Sequence, residues 1–89
     1  MTLPKKISHL SWKKLGESTL ILDSLETNSA HQLDEIGSII WNSCDGITTK
    51  ETLVQLILYE YEIDRETLIN DIDLFLLNLH EKKLVIHED

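Results

Sequence analysis

The stretch SAHQLDEIGSIIW, Ser29 to Trp41, changes its periodicity part-way through. Ser29 to Leu33 is a short extended segment, whereas from Leu33 onward the apolar residues fall three and four apart. Leu33, Ile36, Gly37, Ile40, Trp41 and Cys44 therefore share one helical face, and Asp34 stands where a carboxylate caps the first turn. Gly37 costs about 1 kcal/mol relative to alanine inside a helix, so its place in the packed stripe predicts that another backbone approaches closely there. A weak strand thus runs straight into a well-made helix, and its outer flank has no obvious partner.

Upstream, HLSWKKL (His9 to Leu15) places Leu10 and Trp12 in alternation with polar residues, and STLILDSL (Ser18 to Leu25) does the same with Leu20 and Leu22. Gly16 and Glu17 lie between the two runs as a hairpin turn. A second turn falls in ETN, where Asn28 adopts a left-handed conformation at little cost. Together with Ser29 to Leu33 these segments predict a three-stranded antiparallel meander.

Downstream, Asp45-Gly46 ends the first helix, and TTKE, Thr48 to Glu51, reads as a capping box. A second helix follows from about Thr49 to Tyr59 with Leu53, Val54, Leu56 and Ile57 as its apolar members. Asp64 caps a third, which carries Leu68, Ile69, Ile72, Phe75, Leu76 and Leu79 on one face and Glu66, Asp73 and Glu81 on a solvated one. KKLVIHED closes the sequence with a short extended piece. The order predicts an α+β fold, a winged helix-turn-helix in which a three-stranded amino-terminal sheet precedes a three-helix bundle, as a single domain over residues 1–89.

Acidic residues number 16 against 8 lysines and arginines, for a formal charge of −8. Such a balance repels a phosphate backbone and suits a basic or neutral partner, or simply keeps the chain in solution. Cys44 has no second cysteine to pair with, and its core-facing position makes it a small buried hydrophobe. Nothing resembles a secretory leader or a bilayer-spanning run, so a soluble, cytoplasmic chain is expected.

The chemistry-bearing residues are scattered. His9, His31, His80 and His87 show no metal-ligand spacing with one another or with Cys44, and Gly16, Gly37 and Gly46 form no phosphate loop. No metal, no cofactor and no catalysis are expected. Leu74 and Leu77 fall opposite the apolar stripe of the third helix, either as isolated exposed leucines or as part of a groove wall. A short third strand beside that helix offers unpaired main-chain groups to an incoming peptide.

From Thr19 to Val85 the chain resembles the PqqD family, small domains that bind precursor peptides of ribosomally made, modified natural products. The resemblance rests on Leu22-Asp23 at a strand end, on L-D-E-I-G-x-x-I-W at Leu33 to Trp41, on Asp45-Gly46 before the threonine cap, and on D-I-x-x-F-L-x-x-L at Asp71 to Leu79 leading to Leu84. It implies a cleft between the third strand and the third helix in which the leader segment lies as an added strand. On this chain the binding strand becomes Asn28, Ser29, Ala30, His31 and Gln32, and the helical wall Asp71, Leu74, Phe75 and Asn78. Phe75 also belongs to the core by periodicity. Asp34 and Lys83 depart from the family pattern, which has asparagine and glycine there.

The implied role is a non-catalytic peptide chaperone whose partners are a precursor leader peptide and a separate maturation enzyme. That enzyme is either a radical SAM protein with an iron-sulfur cluster or the leader peptidase of a lasso-peptide pathway. No nucleic acid and no membrane are involved, and the chain acts as a monomer or a weak homodimer. The alternatives are another kind of adaptor subunit or a winged-helix DNA-binding regulator. The latter would insert the second helix into the major groove, yet TTKETLVQLILYEY carries only Lys50 against Glu51 and Glu60.

Overall fold

In the computed structural model, which describes residues 2–25 and 28–87, the predicted elements appear in the expected order. β1 (Lys5–Lys6) precedes β2 (Ser11–Leu15), β3 (Ser18–Asp23) and β4 (Ser29–Leu33). Then come α1 (Glu35–Ser43), α2 (Lys50–Glu60), α3 (Arg65–Glu81) and β5 (Val85–Ile86). The main sheet is antiparallel in the order β2-β3-β4, and β1 pairs separately with β5. The β1 strand is not apparent from the sequence, because two lysines make it only through pairing with Val85 and Ile86. Glu26 and Thr27, two residues of the predicted second turn, lie outside the described residues; Asn28 adopts φ 49°, the left-handed conformation expected of it.

Hairpin geometry decides how β4 presents its backbone. Gly16 at φ 63° opens a two-residue turn between Leu15 and Ser18, which face each other in register. In such a hairpin the residues flanking the turn form a hydrogen-bonded pair, and bonded and non-bonded pairs alternate away from it. Ser18, Leu20 and Leu22 then point their main-chain groups at β2, whereas Thr19, Ile21 and Asp23 point theirs at β4. Those three pair with Leu33, His31 and Ser29. By the same alternation the amides and carbonyls of Ala30 and Gln32 face outward.

The buried face of the sheet is the opposite of the one suggested by Leu20 and Leu22. Thr19, Ile21 and Asp23 are buried, while Leu22 is 41 % exposed. Leucines alternate with equally apolar neighbours here, so hydropathy alone leaves the parity open. Polar partners settle it: Thr19 donates to Ser38 Oγ at 2.8 Å, and Asp23 Oδ1 lies 3.0 Å from His9 Nε2. Beneath the sheet, Trp41 has its ring edge-on to Trp12 at 5.5 Å and under the Lys6 ammonium at 5.3 Å. Lys6 also donates to the Cys44 carbonyl at 3.0 Å, and burial lowers its pKa. Burial likewise raises the Cys44 thiol to about 11, which keeps it protonated and inert.

The helix caps follow the sequence with one shift. Asp34 accepts from the Gly37 amide at 2.8 Å, and Asp64 accepts from Thr67 at 3.0 Å. The second helix, however, is capped by Thr49, which accepts from Thr52 at 3.1 Å, so the expected capping box at Thr48 does not form. Glu51 turns instead to Arg65 at 2.7 Å. Thr48 is taken by Asp45, whose carboxylate receives the amides of Thr48 and Ile47 and is held down at about 2 by those bonds. Leu56, expected in the stripe of α2, is half exposed.

The turn from α3 into β5 is a Schellman motif: Leu84 donates to Leu79 at 2.9 Å and Lys83 donates to His80 at 3.0 Å. Lys83 sits at φ 60°, a conformation that a side chain disfavours by about 1–2 kcal/mol. This is the position where the family resemblance expects glycine. Lys83→Gly should therefore raise unfolding stability by about 0.5–1 kcal/mol after the entropy of a freer unfolded chain is subtracted. Urea denaturation followed by circular dichroism reads this directly, and a loss of stability would show that the Lys83 side chain makes a compensating contact.

Candidate functional site

The outward edge of β4 faces α3 across a groove of about 510 Å³. Ala30, His31 and Gln32 line one bank, and Phe75, Asn78 and Lys82 line the other, with Leu33, Leu79 and Leu84 at the floor. Among the described residues β4 pairs with β3 alone. The described part of the tail turns away, since Val85 and Ile86 are engaged with β1. Among the described residues the flank is therefore open.

A second cavity of about 300 Å³ continues the groove past Phe75 and Asp34, which border both. Its walls are largely apolar, from Ile36, Ile40, Ile63, Leu68 and Ile72, with Asp71 at the edge. Gly37 explains how the two meet. A Cβ built on Gly37 would lie 2.9 Å from the Phe75 ring and 3.0 Å from Asp34 Oδ1. The close approach predicted at this glycine is thus made by an aromatic side chain and not by a backbone. The absence of a side chain at Gly37 thus lets the tip of the ring come this close to α1 between the two cavities.

The sequence-predicted residues divide. Ala30, His31, Gln32, Phe75 and Asn78 come together around the groove, and Asp71 stands beside the second cavity. Ser29 begins β4, and its Oγ lies 3.1 Å from His31 Nε2. Asn28 forms the preceding turn. Leu74 is 60 % exposed and lines neither cavity, as is Leu77 at 53 %. The sequence reading passed over Lys82 and Asp34. Helical arithmetic signals Lys82: at about 100° per residue, Asp71, Phe75, Asn78 and Lys82 lie within about 60° of one another. Asp34, whose sequence signal is that of a cap, also borders both cavities.

The charges around α3 differ by face. Toward α2 they are paired, Lys50 with Asp73 at 2.7 Å and Arg65 with Glu51 at 2.7 Å. The α2 surface that a DNA-binding reading requires thus offers a lysine already tied to an aspartate, next to Glu51 and Glu60. Among the described residues no group of three or more His, Cys, Asp or Glu is placed to hold a metal ion. No helix among them is long and apolar enough to cross a membrane.

Comparison with known proteins places this groove in context. No curated protein sequence matches the chain significantly. Among solved structures, TbiB1 in complex with the TbiA(beta) leader peptide superposes with a TM-score of 0.85 at 28 % identity. The match covers 96 % of this chain and 98 % of that one, so the two share the whole arrangement of sheet and helices. The family model described as coenzyme PQQ synthesis protein D (PqqD) matches residues 19–85, which contain β3 from its second residue on, β4, all three helices and both banks of the groove. The chain belongs to the PqqD family.

Proposed function

We propose that this protein is a non-catalytic peptide-binding adaptor. It captures the leader region of a ribosomally made precursor as an added strand on β4, and it presents the remainder to a separate maturation enzyme, a radical SAM protein or a leader peptidase. The observation that carries this reading is the open flank of β4 set against α3, with a groove of about 510 Å³ between them. The likeness to TbiB1, whose structure holds a leader peptide, supports it.

The energetics require both the edge and the groove. Ala30 and Gln32 offer an amide and a carbonyl each, and main-chain bonds contribute about 1 kcal/mol net apiece. That sum does not overcome an association cost of about 4–15 kcal/mol. Apolar side chains of the peptide, at about 1.5–3 kcal/mol each when buried, must supply the rest. The floor at Leu33, Leu79 and Leu84 and the cavity beyond Phe75 are where they would go.

The direct test is fluorescence anisotropy with the labelled leader of the precursor encoded beside this gene, and absence of saturable binding would end the proposal. Two proline substitutions sharpen it. Ala30→Pro removes an outward amide and leaves the β3 ladder intact, so it should keep the fold and weaken the leader by about five- to tenfold. His31→Pro removes an inward amide and should destabilise the protein itself. Equal effects of the two on folding would mean that the edge is not oriented as described.

Gly37→Ala provides a third probe. Its new methyl forces the Phe75 ring off α1 toward the groove, while the helix gains about 1 kcal/mol in propensity. Stability should change by less than about 1 kcal/mol, and leader affinity should fall. Unchanged affinity would remove Phe75 from the binding wall.

A further inference from the structure

We infer that the groove selects peptides by the order of their charges: a basic residue first, then an acidic one about four or six positions later along the strand. This inference rests on strand capture at β4. Lys82 and Asp71 stand on the groove flank of α3, and neither has an ion-pair partner among the described residues. Elsewhere on the same helix Asp73 and Arg65 are paired within the chain, with Lys50 and Glu51. Asp34 adds a second carboxylate at the Asp71 end, where it borders both cavities. The groove is therefore acidic at one end and basic at the other, and its two unmatched side chains are left for the occupant.

Geometry fixes the spacing. Asp71 and Lys82 are eleven residues apart, or about 16 Å along a helix axis. A strand covers that distance in about five residues, and alternation of its side chains restricts those facing α3 to the fourth or sixth. Direction follows from the sheet. Both existing pairings of the main sheet are antiparallel, and antiparallel addition is the more stable form. Asp34, at the end of β4, and Phe75 border both cavities; Asp71 lines the one beyond them, whereas Lys82 lines the groove together with Ala30 to Leu33. A peptide antiparallel to β4 consequently passes Asp34 and Asp71 before it reaches Lys82.

The test is selection of a random peptide library displayed on phage against the immobilised protein at low ionic strength. The expected result is enrichment, over bare support, of alternating apolar segments that carry lysine or arginine four or six positions before aspartate or glutamate. Enriched sequences with no charge order, or with the reverse order, overturn this inference and leave strand capture standing. No enrichment at all overturns both. One selected peptide, and the same peptide with its acidic residue changed to lysine, are then titrated against wild type and Lys82→Glu. The substitution should weaken the first by about two- to fivefold and strengthen the second by a similar factor, with both effects shrinking in high salt. If the two peptides shift alike, Lys82 is not read by the peptide, and the charge-order inference fails.

Discussion

The tight turn at Gly16-Glu17 governs how this protein meets other chains, although it lies at the far corner of the sheet. A loop of that length leaves one pairing parity between β2 and β3, and β3 passes it on to β4. The outcome is that Ile21 enters the core and that Ala30 and Gln32 hold their backbone groups toward the groove. A slip of one residue would reverse all of this together, exposing Ile21 and turning the outward amides inward. Buried polar contacts guard against it. The Thr19 to Ser38 bond and the Asp23 to His9 pair form only in the observed register, and leaving either group buried without its partner costs about 1–3 kcal/mol.

The opposite bank of the groove is held with comparable economy of parts. Gly37 lets Phe75 rest on α1, which fixes how closely α3 approaches the sheet. The Schellman turn then sends the chain from α3 into β5, and pairing with β1 carries it away from β4. Lys6, in that same β1 strand, rests on Trp12 and Trp41 and so ties the small sheet to the core. Among the described residues the edge of β4 is left open because β1 and β5 pair with each other.

Much of this arrangement is legible in the residues themselves. Three helices with their caps at Asp34 and Asp64, the left-handed Asn28, and the solvent-facing Leu74 and Leu77 all follow from periodicity and local hydrogen-bonding capacity. What local pattern does not reveal depends on distant partners. Leu20, Ile21 and Leu22 are equally apolar, so only Ser38 and His9, from elsewhere in the chain, decide which way the strand faces. Thr48 and Thr49 are equally able to cap a helix, and Asp45 removes one of them. Two lysines at β1 carry no strand signal without Val85 and Ile86 beside them. Within the site, Asp71, Phe75 and Asn78 follow from the family pattern, which also points to Leu74, a residue that lines neither cavity. Lys82, at the helix end, lay outside the pattern and within the spacing.

The two outer strands of the main sheet are insulated in different ways. Along β2 the lysines Lys13 and Lys14 discourage a neighbour by charge and hydration. Along β4 there is no such charge, only Ala30, His31 and Gln32, and the barrier is the bulk of α3 across the groove. A folded protein offering its own sheet margin arrives with layers of structure attached and meets α3 first, whereas a single extended chain brings no such bulk. The helix thus screens the one outer strand of the main sheet that carries no lysine.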